Sequence, residues 1–367
     1  MIRVMIVDDS ALVRRIATDI LTADPEMSVV ATAAQAEFAL PKLEKERPDV
    51  VTLDLEMPGM GGLEAIRRIM ASRPTPIIVL SAHAQKGAEL TLQALDLGAV
   101  DFVLKPSTSL SGGLTEVARE LTEKVKNASH IVFPPPRNPP PLVASAAPVV
   151  RAPPPEAPAK PRPDFVGDTE CELVAIGTST GGPVALKTVL GMLPPNLPVG
   201  VVVVQHMPPV FTRAFAERLD DCCSVRVKEA EHGDPILPGR VLLAPGNWHM
   251  TVSRSGSSPH VELAQSENVN GHRPSVDVLM QSVAREYGNR AVGVIMTGMG
   301  KDGAQGLREL HRRGGRVIAQ DKDTSVIYGM NREVVQNGDA DEVAPVAQIA
   351  DRIMDALHSR ATSRKAI

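Results

Sequence analysis

The sequence predicts an α/β protein of two domains, each a mostly parallel sheet wound with helices on both faces. Three observations predict it. At 367 residues the chain is too long for one ordinary domain. Short apolar runs alternate with helical patterns in both halves, as parallel sheets with helical crossovers require. Between the halves lies a segment so rich in proline that it can pack neither as helix nor as sheet. The expected division is a first domain over 1–125, a spacer over 126–168 and a second domain over 169–360.

Composition narrows the function. The net charge is −4 and aromatics are only 2% of residues, which argues against a nucleic-acid partner: a basic face and stacking aromatics are both missing. No apolar run approaches the roughly 20 residues that span a bilayer, so direct membrane insertion is not expected. The start, Met1-Ile2-Arg3-Val4, enters a strand with no signal-peptide pattern. The three cysteines, Cys171 and the adjacent Cys222-Cys223, follow no disulfide or metal-ligand spacing. Together these point to a cytoplasmic protein with reduced thiols.

In the first half the β-rich runs are 3–7, 29–32, 50–53, 77–80 and 101–104. Ligands of an open parallel sheet gather at the carboxyl ends of its strands. Asp8 and Asp9 follow the first run, Asp54 the third, Ser81 the fourth and Lys105 the fifth. Three carboxylates on one edge make a hard oxygen site suited to Mg²⁺. A carboxylate is also a competent phosphoryl acceptor. A lone aspartate after a strand is more often a solvated loop residue or a helix N-cap. Five matched positions on five strand ends make that account poor.

The proline-rich stretches at 133–141 and 151–155 read as a semi-rigid extended spacer rather than a ligand for an aromatic groove.

In the second half the apolar run Leu173-Val174-Ala175-Ile176 ends in the turn Gly177-Thr178-Ser179-Thr180-Gly181-Gly182, followed by a helical pattern. Such a turn lifts a serine hydroxyl out of a sheet and points backbone N–H groups at whatever binds there. Two further strands end in Gln205-His206-Met207 and in Thr297-Gly298-Met299-Gly300-Lys301-Asp302-Gly303. Ser179, His206 and Asp302 therefore fall on one sheet edge, where they can serve as nucleophile, base and orienting carboxylate. Their chain order differs from the three familiar orders of such triads. His232, His249, His260 and His272 compete for the role of base, but only His206 directly follows a long apolar strand.

Two other readings remain open on these residues. Asp302 can simply cap the helix that begins near Gly303. Gly298 to Gly303 is also a literal G-x-G-x-x-G between a strand and a helix, the form of a dinucleotide-binding fingerprint. Against the latter, an aspartate in a phosphate-facing turn repels pyrophosphate.

Residues 1 to about 125 resemble a response-regulator receiver domain in Val7-Asp8-Asp9-Ser10, Leu53-Asp54 through Gly62, Leu80-Ser81-Ala82, Gly98-Ala99 and Leu104-Lys105-Pro106. The resemblance implies a flavodoxin-like (βα)5 fold and phosphorylation of Asp54 by a histidine kinase. It implies Mg²⁺ on Asp8, Asp9 and Asp54 with a backbone contribution from Glu56. Ser81 and Lys105 would read out the phosphoryl group, and the Lys105-Pro106 bond would be cis.

Residues from about 170 to 360 resemble the catalytic domain of chemotaxis protein-glutamate methylesterases in 176–182, 204–208, 244–250, 273–277 and 296–303. That resemblance implies a Rossmann-like, doubly wound domain with Ser179 as nucleophile, His206 as base and Asp302 as orienter. It suggests the backbone N–H groups of Met299 and Thr180 as oxyanion donors. The implied substrates are methylated glutamates and certain glutamines on the cytoplasmic domains of chemoreceptors, with no cofactor for hydrolysis. Thr178 departs from the family, where alanine is common, without expected effect.

Overall fold

The computed structural model describes residues 1–82, 85–105, 113–131, 133, 171–254 and 258–358. The first sheet is built in chain order from β1 (Ile2–Val7), α1 (Ala11–Thr22), β2 (Met27–Ala33), α2 (Ala36–Glu46), β3 (Val50–Asp54), α3 (Gly62–Ser72), β4 (Ile77–Ser81), α4 (Gln85–Asp96), β5 (Asp101–Leu104) and α5 (Gly113–Ala128). Its strand order is β2-β1-β3-β4-β5, all parallel. This is the flavodoxin-like order, with its crevice between β1 and β3. Strands buried on both faces carry continuous apolar runs, as in Val4–Val7 and Ile77–Leu80, and all eight residues are essentially inaccessible.

The second sheet follows with β6 (Leu173–Thr178), α6 (Gly182–Met192), β7 (Gly200–Gln205), α7 (Phe211–Cys222), β8 (Arg226–Glu229) and β9 (Arg240–Leu243). The hairpin β10 (His249–Ser253) and β11 (His260–Ala264) leads to α8 (Val276–Glu286). Then come β12 (Ala291–Ile295), α9 (Ala304–Arg312), β13 (Arg316–Gln320), α10 (Met330–Gln336), β14 (Glu342–Ala344) and α11 (Val346–His358). The seven strands lie in the order β14-β13-β12-β6-β7-β9-β8, every pair parallel. From β6 the chain moves to β7 on one side and later to β12 on the other. The strand order thus reverses beside β6, and the crevice opens at the carboxyl ends of β12, β6 and β7.

The two sheets share one apolar core. Leu92 and Leu95 on α4 join the cluster that contains Phe215 and Leu219 on α7. Phe102 of β5 stacks on Phe211 of α7, with ring centroids 4.5 Å apart and planes at 15°. At the rim Asp96 pairs with Lys187 at 3.1 Å and with Arg218. The face formed by α4, β5 and α5 is thereby seated on the second domain. The proline-rich segment expected as a spacer lies almost wholly outside the described residues, as does Pro106.

Candidate functional site

The first site forms where β1 and β3 part. Asp8 and Asp54 are buried and Asp9 is exposed, and one carboxylate oxygen from each lies within 4.8 Å of the others. Backbone N–H groups turn the two buried carboxylates: Ser10 donates to Asp8 Oδ1 at 2.9 Å and Glu56 to Asp54 Oδ1 at 3.1 Å. Lys105 Nζ reaches both remaining oxygens, at 3.0 Å from Asp8 Oδ2 and 2.8 Å from Asp54 Oδ2. Burial pushes the Asp8 carboxyl up more than Lys105 pulls it down. Burial likewise depresses the Lys105 ammonium, but Asp54 and Asp8 more than restore it. Three carboxylates against one ammonium leave net negative charge on oxygen donors. That donor set fits a hard divalent cation such as Mg²⁺. Ser81 ends β4 beside this cluster, and Thr91 Oγ1 of α4 donates to its hydroxyl at 2.7 Å.

The second site occupies the crevice beside β6. The turn after β6 needs Gly181 at φ 77°, where a Cβ would also strike Val326. Gly298, after β12, approaches so closely that a Cβ would lie 2.8 Å from Ser179 Cβ. Ser179 is nearly buried. Its N–H donates to Thr297 O at 3.0 Å, which ties the turn after β6 to the end of β12. Among the described residues the N–H groups of Thr180 and Met299 have no hydrogen-bond partner.

His206 and Asp302 meet directly, Nε2 to Oδ2 at 2.8 Å, with side chains 6% and 1% exposed. Nδ1 of His206 is buried without a partner, and Ser179 lines the same cavity of about 850 Å³. Ser179 Oγ makes no hydrogen bond to His206 in this arrangement. Asp302 does occupy a helix N-terminus, but that of α8 and not the helix after Gly303. Its carboxylate accepts from Val276 N at 2.7 Å, Asp277 N at 3.1 Å, Ser275 Oγ at 2.8 Å and Asn270 Nδ2 at 2.8 Å. Burial pushes Asp302 up, but His206, Asn270 and Ser275 outweigh it and hold the carboxyl well below the ordinary range. An ionised Asp302 requires a proton on Nε2, which leaves Nδ1 as the acceptor nitrogen.

Several of these partners carried no signal that singled them out in the sequence. Gln205 receives the Thr178 hydroxyl, and its Nε2 donates to Ser179 O at 2.9 Å and His206 O at 3.1 Å. The Thr178 hydroxyl, expected to be without effect, is thus tied into the loop that carries both side chains. Val269 and His272 exchange backbone hydrogen bonds at 3.1 and 3.0 Å around Asn270 and Gly271, both at positive φ. Asn-Gly is the sequence signature of such a tight turn, though it marks the turn and not the contacts its side chains make. His249 supports the same region by accepting from Ser275 N at 3.2 Å. His232 and His260 bond elsewhere, to Leu263 N and Ser258 O. At the dinucleotide-like turn, Gly306 N of α9 is already given to the buried Asp277 carboxylate at 2.8 Å.

The first domain overhangs this cavity. Thr180 Oγ1 donates to Asp101 of β5, and the Asn127 amide of α5 rests on the Met299 sulfur. Lys124 braces Asp101 at 3.1 Å and Glu120 at 2.8 Å. Burial lowers the Lys124 ammonium, but those two carboxylates more than offset it.

Fold and sites together define a response regulator whose output is an α/β enzyme domain. Residues 4–111 match the response regulator receiver domain family, and residues 174–353 match the CheB methylesterase family. The chain is 45% identical over 363 residues to the protein-glutamate methylesterase/protein-glutamine glutaminase of Bordetella bronchiseptica, covering 98% of each. It is 47% identical over 369 residues to that of Symbiobacterium thermophilum, covering 97% of each. The catalytic domain of Thermotoga maritima CheB methylesterase superposes with TM-score 0.50 at 42% identity, over 50% of this chain and 98% of that one. The chain belongs to the protein-glutamate methylesterase/protein-glutamine glutaminase family.

Proposed function

We propose that the chain hydrolyses glutamate γ-methyl esters on chemoreceptor cytoplasmic domains, and deamidates receptor glutamines, under control of Asp54 phosphorylation in the cytoplasm. The observation that carries the reading is the His206–Asp302 pair at 2.8 Å, with a buried, unpartnered Nδ1, on a cavity that both His206 and Ser179 line. His206 Nδ1 takes the Ser179 proton as Oγ attacks the ester carbonyl. The N–H groups of Met299 and Thr180 hold the oxyanion, each such donor contributing about 3–4 kcal/mol. Methanol departs with the proton returned from Nδ1, and water clears the acyl-enzyme by the same base. With an amide substrate the leaving group is ammonia.

A histidine kinase would supply the phosphoryl group to Asp54. Mg²⁺, when bound by Asp8, Asp9, Asp54 and the Glu56 backbone, would neutralise phosphoryl charge. Lys105 and Ser81 then hold the phosphoryl oxygens. The unphosphorylated receiver covers the Ser179 cleft, and phosphorylation loosens it. A hundredfold activation needs only about 2.7 kcal/mol of differential interdomain energy.

The test is methanol release from methylated receptor. Ser179→Ala is expected to abolish it, and release by the parent no faster than from receptor alone would leave a phosphorylation-dependent binding module with an inactive hydrolase domain as the reading.

A further inference from the structure

One contact in the cleft has no part in the reaction as described. The ring of His272 lies face to face with that of His206, with centroids 3.8 Å apart and planes at 14°. A hydrogen bond at Nε2 alone leaves the His206 ring free to tilt, because the second side-chain torsion of histidine is broad. A parallel ring against its face removes that freedom. We propose that His272 is a positioning residue for the base: it fixes the plane of His206 so that Nδ1 can take the Ser179 proton while Nε2 stays on Asp302. The proposal rests on the hydrolase reading of Ser179 and His206.

Three features support it. The spacing is closer than aromatic pairs ordinarily adopt, since two neutral rings stacked face to face repel through their quadrupoles. The repulsion becomes attraction when one ring is a cation. That state arises when His206 holds the serine proton, so the two rings attract most at that step. Secondly, burial and the neighbouring His206 pull the His272 imidazole down to about 3, which keeps it the neutral partner. Thirdly, His272 is held by the tight Asn270-Gly271 turn, whose Asn270 amide also donates to Asp302 Oδ1 at 2.8 Å. One short turn therefore steadies both the base and the carboxylate that orients it.

The experiment uses the full chain with methylated receptor as substrate, with and without phosphodonor. His272→Leu keeps bulk and removes the π face; His272→Phe keeps a flat ring. We expect His272→Leu to lower kcat at least tenfold with KM changed less than twofold, and His272→Phe to recover kcat to within threefold of the parent. Equal rates in all three proteins, or a Phe variant as impaired as the Leu variant, would overturn the proposal. A second readout is independent of turnover. In ¹³C relaxation measurements the His206 ring should be rigid in the parent and the Phe variant, and mobile in the Leu variant. A His206 ring as rigid in His272→Leu as in the parent would also overturn it. Ser179→Ala, run alongside, separates failure of the hydrolase reading from failure of the stack.

Discussion

Asp302 gathers five hydrogen bonds on two oxygens, from a histidine, a serine, an asparagine and two backbone N–H groups. An asparagine there offers one oxygen where two are used, and its amide favours the wrong histidine tautomer. Asp302→Asn is expected to lower kcat by about 10⁴-fold, as in other serine triads, and methanol release measures it. The same carboxylate shapes acid stability. Its pKa is lower folded than unfolded, so its contribution is complete above about pH 4 and is lost as pH falls below that. His272 acts at higher pH. It titrates at about 3 when folded and at about 6.5 when unfolded, so between those values the unfolded chain binds the extra proton. Stability should therefore fall as pH drops from about 6.5, and His272→Phe should flatten the decline. Equal loss of urea midpoint between pH 6.5 and 5 in parent and variant would contradict this assignment.

At the scale of elements, β5 joins the two sites. Asp101 and Phe102 at its start touch Thr180 and Phe211, while Lys105 just past its end pairs with Asp54. Four strand residues span only about 13 Å, so a shift at the proposed phosphoryl site would reach the interface through one short segment. The Phe102–Phe211 stack contributes about 1 kcal/mol beyond its area. Phe102→Ala should raise unphosphorylated methanol release about fivefold if the closed interface weakens by that amount. A variant as quiet as the parent would place the restraint elsewhere. The strands themselves were legible because burial on both faces forces continuous Val/Ile/Leu runs, as at 77–80 and 201–204. The turns that carry Ser179 and Asp302 were legible because glycine is demanded where the backbone takes positive φ, as at Gly181, or where another segment packs directly against it, as at Gly298. The Asn270-Gly271 turn was not singled out: its importance comes from what its neighbours reach, not from its own pattern.

For the whole molecule, the proposed inhibition would be a matter of covering a formed site. A fragment beginning near Asp168 should release methanol faster than the unphosphorylated full chain, and equal rates would rule the cover out. Chelating Mg²⁺ with EDTA should abolish activation by a phosphodonor and leave the unstimulated rate within about twofold. A fall in the unstimulated rate would mean that hydrolysis itself needs the metal. The placement of Ser179, His206, Asp302, Asp8, Asp54 and Lys105 at the carboxyl edge of their sheets could be read from the sequence because each lies at or past a strand end, and parallel strands end on one edge. That much the chain determined by itself. The tertiary structure decided which nitrogen of His206 faces Asp302, that Asp302 caps α8, that His272 covers the His206 ring, and that β5 and α5 lie over Thr180 and Met299. Those choices depend on strand order and on side chains that meet from distant parts of the chain, where no local spacing or periodicity records the encounter.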